Sequence, residues 1–283
     1  MNERFRQLLA ERYPIVRSKF PREGRRKWRL RVIEDVWLAP ELQAEIVSAA
    51  LNSEDSPKDA DFDNDDDPLD LATDGEEVGL LVRTDFSNDS AWNTFVQKLQ
   101  EAETELLTSI AQGEDTQRDQ DMEMHDDAVE SDSESESTPS RIIKVLPTSS
   151  DPLFDNISNL TALRLFNDVD IRLAPSPLPG TNRVKPSNRL IDYGGLQEIY
   201  SGKTIWIYDG QSILDESVRL VSQQGDVYGT ATGDSWRARA SHVAELQFNM
   251  SYYNMKIDFG GLDRWDYLER ARNLNEAQSL DST

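Results

Sequence analysis

Val78, Leu80, Leu81 and Val82 form a nearly unbroken apolar run, the pattern of a strand covered on both faces. A polar break over Thr84–Asn88 follows it. From Ser90 onward Trp92, Phe95, Val96 and Leu99 recur at helical spacing, and Leu106 and Ile110 extend the stripe. The stretch 78–111 therefore predicts a buried strand, a turn and an amphipathic helix, with Asp85, Ser87 and Asn88 each able to cap it. Thr204–Tyr208 (TIWIY) is a second continuously apolar run and predicts another central strand.

Other elements gather around these two. Arg141–Leu146, Val169–Leu173, Val218–Val221 and Ser235–Ala240 read as strands, and Met255–Phe259 alternates as an edge strand. Helices are predicted by Leu160, Leu163 and Phe166, capped by Ser158 or Asn159, and by Val243, Leu246, Gln247 and Met250, capped by Ser241. A last helix spans Leu262–Leu274, and Leu190–Tyr200 predicts a short helix interrupted by Gly194–Gly195. Ala174–Asn188 holds four prolines and reads as a surface loop. Near the N-terminus Phe5, Leu8, Leu9 and Tyr13 suit a short helix that Pro14 ends or kinks. Trp28, Leu30, Val32 and Val36 alternate like a strand, and Pro40 opens a helix with Leu42, Ile46 and Val47 on one face. Strands alternating with helices predict an α/β fold around a mixed sheet.

Charge divides the 283-residue chain. Glu54–Glu77 sets twelve acidic residues against Lys58, and Gly113–Ser140 sets eleven against Arg118, so these two tracts hold almost all of the formal net charge of −23. Such composition cannot bury enough apolar surface to offset chain ordering, and it predicts long disordered acidic insertions. The organisation that follows is a basic N-terminal helical extension (1–53), an acidic linker (54–77), an α/β domain (78–274) interrupted by an acidic insert (113–140), and a tail (275–283). Residues 4–31 carry eleven Lys and Arg and form the only basic region. The acidic tracts beside this region offer its charges intramolecular partners; nucleic acid enters as a partner only through it, and no aromatic stacking platform accompanies it. The absence of cysteine removes disulfides and thiolate chemistry and fits an intracellular protein, cytoplasmic or nuclear. No run of about 18 apolar residues is present, so no membrane span is expected.

A likeness is carried by particular residues. Leu81-Val82-Arg83-Thr84-Asp85-Phe86-Ser87 followed by Ala91-Trp92, then Asn159-Leu160-Thr161, a strand ending in Asp209, Trp236-Arg237, Asn249-Met250-Ser251 and Asn254-Met255 resemble an uncharacterised domain family of bacteria and filamentous fungi. Its members open on an LVRTDFS–D–AW motif, the specific part of the likeness, and carry an NLSxxNMDF-like segment near the C-terminus. Here that segment reads NMSYYNMKIDF, with Lys256-Ile257 inserted. The likeness covers 78–268 without the second acidic tract. It implies an α/β fold and no known activity.

Candidate chemistry is sparse. Arg83 and Asp85 leave the carboxyl end of a predicted central strand, where open α/β sheets place ligands, and Asp209 leaves the end of the other. With Asn249 they form the candidate ligand-binding set. The alternative for Arg83 and Asp85 is an ion pair that fixes the turn, with Asp85 capping the helix. No catalytic residue is assigned: there is no GxSxG, and Gly202-Lys203-Thr204 lacks the upstream glycine of a phosphate loop and precedes a strand. His125 and His242 have no ligand-spaced partners, and the acidic DFDNDDDPLD lacks the glycine and glutamate of a calcium loop, so neither a metal nor a cofactor is assigned. Ser131 and Ser133 each have Glu three residues on, a pattern suited to acidophilic phosphorylation. The expected role is a non-catalytic protein-interaction module with an unknown protein partner and acidic regulatory segments. The alternative is a small-ligand-binding protein or enzyme with its site at the carboxyl ends of 78–83 and 204–208.

Overall fold

The computed structural model describes residues 3–52, 65–121, 141–146, 153–176, 179–180, 186–225, 231–259 and 266–278. In chain order the elements are α1 (Glu3–Lys19), α2 (Arg25–Leu38), α3 (Pro40–Asn52), α4 (Asp70–Thr73), β1 (Gly79–Arg83), α5 (Asp89–Asp121), β2 (Ile143–Val145), α6 (Asn159–Phe166), β3 (Asp168–Leu173), β4 (Leu196–Ser201), β5 (Thr204–Tyr208), α7 (Gly210–Asp215), β6 (Ser217–Val221), β7 (Ser235–Arg239), α8 (Ala240–Tyr252) and α9 (Tyr267–Gln278). Five strands form a mixed sheet in the order β2-β1-β5-β6-β7. β1 runs parallel to β2 and β5, while β5–β6 and β6–β7 are antiparallel. β3 and β4 form a separate antiparallel pair.

Strand period two sorts the sheet residues onto two faces, and both faces are covered. Leu81, Trp206, Tyr208, Val218 and Leu220 pack under Trp92, Phe95 and Leu99 of α5 and Val243 of α8. Leu80, Val82, Ile205 and Ile207 pack on the opposite side, under Leu160, Leu163 and Phe166 of α6, Ile33, Val36 and Trp37 of α2, and the β3–β4 pair. This explains the continuous apolar character of both central strands.

The N-terminal segment is part of that second layer, not an extension. Phe5, Leu8, Ile33, Val36, Trp37 and Ile46 belong to the same apolar cluster as the sheet. The strand expected at Trp28–Val36 is helix α2, because its apparent alternation is two helical stripes read together. Trp28 and Val32 face Leu9 and Tyr13 of α1, whereas Leu30, Ile33 and Trp37 face the main core. α1 also continues through Pro14 to Lys19.

The described parts of the acidic tracts, 65–77 and 113–121, are ordered where their charge predicted disorder. Residues 65–77 are folded against the basic helices. Gly24 at the start of α2 has no side chain to cap with, and a Cβ there would clash with the Asp67 carboxylate. Asp67 fills the role in trans, accepting the Arg26 amide at 2.9 Å and pairing with its guanidinium at 2.8 Å. Arg17 pairs with Asp65, Arg25 with Asp70 and Asp168, Arg12 with Asp35, Arg4 with Glu45 and Arg31 with Glu23. In the second tract the backbone of α5 runs on to Asp121, since extending a nucleated helix adds one hydrogen bond for each residue fixed. Ser131 and Ser133 lie outside the described residues.

Three further expectations change. Leu190–Tyr200 is not a helix: Gly194 and Gly195 take positive φ (64° and 96°) in a turn that leads into β4. Among the described residues Met255–Phe259 pairs with no strand. α8 begins one residue before Ser241, with Arg239 at the N-cap and no side-chain cap.

Polar contacts tie the second layer together. Glu198 of β4, wholly buried, accepts from Trp37 Nε1 at 3.0 Å, from Arg164 at 3.1 Å and from the Tyr200 hydroxyl, with Arg189 at 3.6 Å. Burial alone pushes this carboxyl up, but Arg164 and Arg189 outweigh burial and hold it below its ordinary value. The N-terminus of α6 is capped by Ser158 and also by α9, whose Glu269 and Asn273 accept the Asn159 and Leu160 amides at 2.8 and 2.9 Å.

Trp92 is the anchor of the first layer, 2% exposed and edge-on to Tyr208 at 4.9 Å. Trp92→Ala should destabilise by about 3–5 kcal/mol, the scale of a large core aromatic truncation. Urea unfolding checks it; a midpoint unchanged from wild type would mean that α5 does not seat on this face.

Candidate functional site

β1 and β5 are parallel neighbours in the register Arg83↔Tyr208, so both chains leave the sheet at the same edge. Thr84 locks them there, its amide and hydroxyl both donating to the Tyr208 carbonyl at 2.8 and 3.0 Å. Asp85 and Asp209 are thereby brought together, as the strand pattern implied. A Cβ on Gly210 would lie 3.0 Å from Asp85 Oδ2. The two carboxylates line a cavity of about 320 Å³ with Phe86, Ser87, Asp155 and Asn156.

Arg83 does not join them. Its side chain is buried, with Nε donating to the Asp85 carbonyl and Nη2 to Asp89 Oδ1, both at 2.8 Å, and its guanidinium lies over the rings of Phe86 and Trp92. The expected Arg83–Asp85 ion pair is absent because the Asp85 carboxylate turns instead to the Ser87 amide at 2.8 Å. The cap of α5 is Asn88, which accepts the Ala91 amide at 3.0 Å. Arg83 thus pins the turn between β1 and α5.

Asp209 has the largest set of partners. Its carboxylate accepts the Ser212 amide at 3.0 Å while its own amide donates to Ser212 Oγ at 2.9 Å, a capping box that starts α7. The same carboxylate meets Arg219 Nε of β6 at 3.1 Å and both terminal nitrogens of Arg237 of β7. Arg219 and Arg237 are directly opposed across β6–β7, an arrangement that repels unless a negative group sits between them. Asp209 is that group. Arg219 also pairs with Glu269 at 2.8 Å, and Arg237 lies 3.5 Å from Asp266, which ties α9 to the sheet.

No protein-family model, curated protein or solved structure matches this chain. Its site is therefore read from geometry alone.

The arginines and carboxylates around Asp209 border a second, larger cavity of about 1420 Å³. It runs beside β7 and is walled by α7, by His242, Leu246 and Asn249 of α8, and by Leu268 and Arg272 of α9. Asn249 of the candidate set lies here, near Asp209 and away from Asp85, in the last turn of α8, where its carbonyl accepts the Tyr253 and Met255 amides. The four candidates therefore divide: Asp85 and Asp209 share the small cavity, Asp209 and Asn249 the large one, and Arg83 lines neither. Sequence reasoning gave no site role to Arg219, Asp266 and Glu269, and took Arg237 only as part of the family likeness. An arginine within the otherwise apolar Val218–Val221 was the available signal, since a buried charge in a strand demands a partner.

His242 is exposed, with Nδ1 2.9 Å from Ser241 Oγ, and His125 lies outside the described residues. Among the described residues no group of three or more His, Asp or Glu gathers as a metal site. No described helix is long and apolar enough to cross a membrane. Lys203 donates to the Gly75 carbonyl, and Thr204 begins β5, so this stretch forms no phosphate loop.

Burial pushes the Asp209 carboxyl up, but Arg237 and Arg219 reverse this and hold it below its ordinary value of 3.8. A carboxyl depressed in the folded state stabilises above its unfolded value, and that stability is lost as pH falls through the folded value. Asp209→Asn keeps a cap acceptor but leaves two opposed arginines, and should cost about 3–5 kcal/mol at pH 7. The difference from wild type should shrink steadily below about pH 3.8. Paired urea titrations at pH 7 and pH 3 check this; an equal difference at both would assign the loss to the cap alone.

Proposed function

We propose that this protein is a non-catalytic interaction module whose docking surface is the large groove beside β7, and that it belongs to the uncharacterised family its motifs resemble. The observation that carries the reading is the state of the charged groups at the carboxyl edge. Arg83 is spent on the β1–α5 turn, and Asp85 on Ser87. Asp209 is spent on Ser212, Arg219 and Arg237. Groups held in this way position backbone and do not move protons, while the groove beside them stays open and carries exposed Leu268 and half-buried Trp236 on its walls. The acidic tracts act as regulatory segments in an intracellular protein of the cytoplasm or nucleus, with Ser131 and Ser133 as sites for added charge.

The second reading is a small-ligand-binding protein or enzyme, and the 320 Å³ cavity that Asp85 and Asp209 share favours it. One pair of variants separates the two. Leu268 is 81% exposed, so Leu268→Asp should leave folding intact and abolish partner capture by the immobilised protein, quantified by mass spectrometry. Asp85→Asn should change stability by no more than about 1 kcal/mol, because the amide still accepts from Ser87, and should leave capture unchanged. An Asp85→Asn protein that melts normally but loses its partner or ligand would put the second reading first.

A further inference from the structure

Among the described residues β7 is the last strand of the sheet and pairs only with β6. The hydrogen bonds at the two ends of that ladder, Ala240 N–H to Glu216 and Ser222 N–H to Asp234, set its alternation. Even-numbered residues of β7 turn their backbone groups toward β6, and Arg237 and Arg239 turn theirs outward. Among the described residues nothing bonds the Arg237 N–H and C=O or the Arg239 N–H. These groups lie along the large groove, whose floor includes the consecutive residues Trp236, Arg237, Ala238 and Arg239. An unpaired sheet edge with helices walling both of its sides is the geometry for strand addition.

Resting on the interaction-module reading, we infer that β7 takes up an extended segment of another protein as a sixth strand, and that this segment alternates acidic and apolar side chains. The outward-facing residues of β7 are buried Ser235, Arg237, which Asp209 and Asp266 already hold, and exposed Arg239, and successive residues of an added strand fall on opposite faces of the sheet. Every second side chain therefore lies beside Arg237 and Arg239, and the others lie beside Trp236 and Ala238. Arg239 is exposed, and no described carboxylate pairs with it. The carboxylates nearest this edge are engaged: Asp209 and Asp266 with Arg237, Glu269 with Arg219, and Asp215 with Ser217. Glu245, exposed on α8, also borders the groove. A second copy of the chain is the poorer occupant, because antiparallel β7–β7 pairing centred on Arg237 sets that arginine against itself.

The chain itself contains the required alternation at Asp59-Ala60-Asp61-Phe62-Asp63, which supplies a probe. Fluorescence anisotropy would follow a labelled peptide of residues 57–64 binding to the full-length protein. The expected result is saturable binding that weakens at least tenfold in Arg239→Glu and at least tenfold when the peptide carries N-methyl groups on alternate amides. Its counterpart with lysine at each aspartate should not bind. Equal binding by the methylated peptide, or by Arg239→Glu protein of unchanged melting temperature, would overturn strand addition. So would a protein that dimerises through β7 in sedimentation. If the Leu268-dependent partner is captured but neither its sequence nor the probe engages β7, this inference fails while the interaction-module reading stands.

Discussion

Two neighbouring parallel strands that are apolar on both faces cannot be left half-covered, and most of the fold follows from meeting that condition. β1 and β5 are buried along nearly their whole length. One face is closed by α5 and α8, which the amphipathic stripe from Trp92 announces. Closing the other requires more apolar surface than α6 alone presents. The N-terminal helices and the β3–β4 pair supply it, and Glu198 joins them by accepting from Trp37 of α2 and Arg164 of α6 at one buried carboxylate.

The same pairing creates the site. Because β1 and β5 end in register, the polar residues that follow them crowd one edge, where backbone groups at the starts of α5 and α7 need acceptors. Asp209 meets that need and also separates two arginines that strand pairing sets face to face. The charged cluster at this edge is thus accounted for by helix starts and strand pairing. Among the described residues it leaves the edge of β7 unpaired beside the groove.

How much of this was legible depended on whether a residue's environment was local. The β1–α5 unit and β5 could be read directly, since a long apolar run or a full helical stripe has few alternatives. α2 could not, because it is buried on two sides and its two stripes together imitate a strand. The N-terminal basic run reads as solvated surface until Asp65, Asp67 and Asp70 are brought to it from some 40 residues away, a contact that composition cannot display. At the site, the meeting of Asp85 with Asp209 followed from strand order. The separate roles of Arg83 and Asp85 did not, because they turn on which oxygen faces which donor. Met255–Phe259 has strand alternation without a strand, its Ile257 and Phe259 packing beside the first core.

The central claim is that α1–α3 complete the core and are not an appendage. Native-state hydrogen exchange on the full-length protein tests it most directly. The amides of Val32–Val36 in α2 should be protected to within about tenfold of those of Ile205–Ile207 in β5, because both open only with the whole domain. Rapid exchange throughout α2 while β5 stays fully protected would contradict the account.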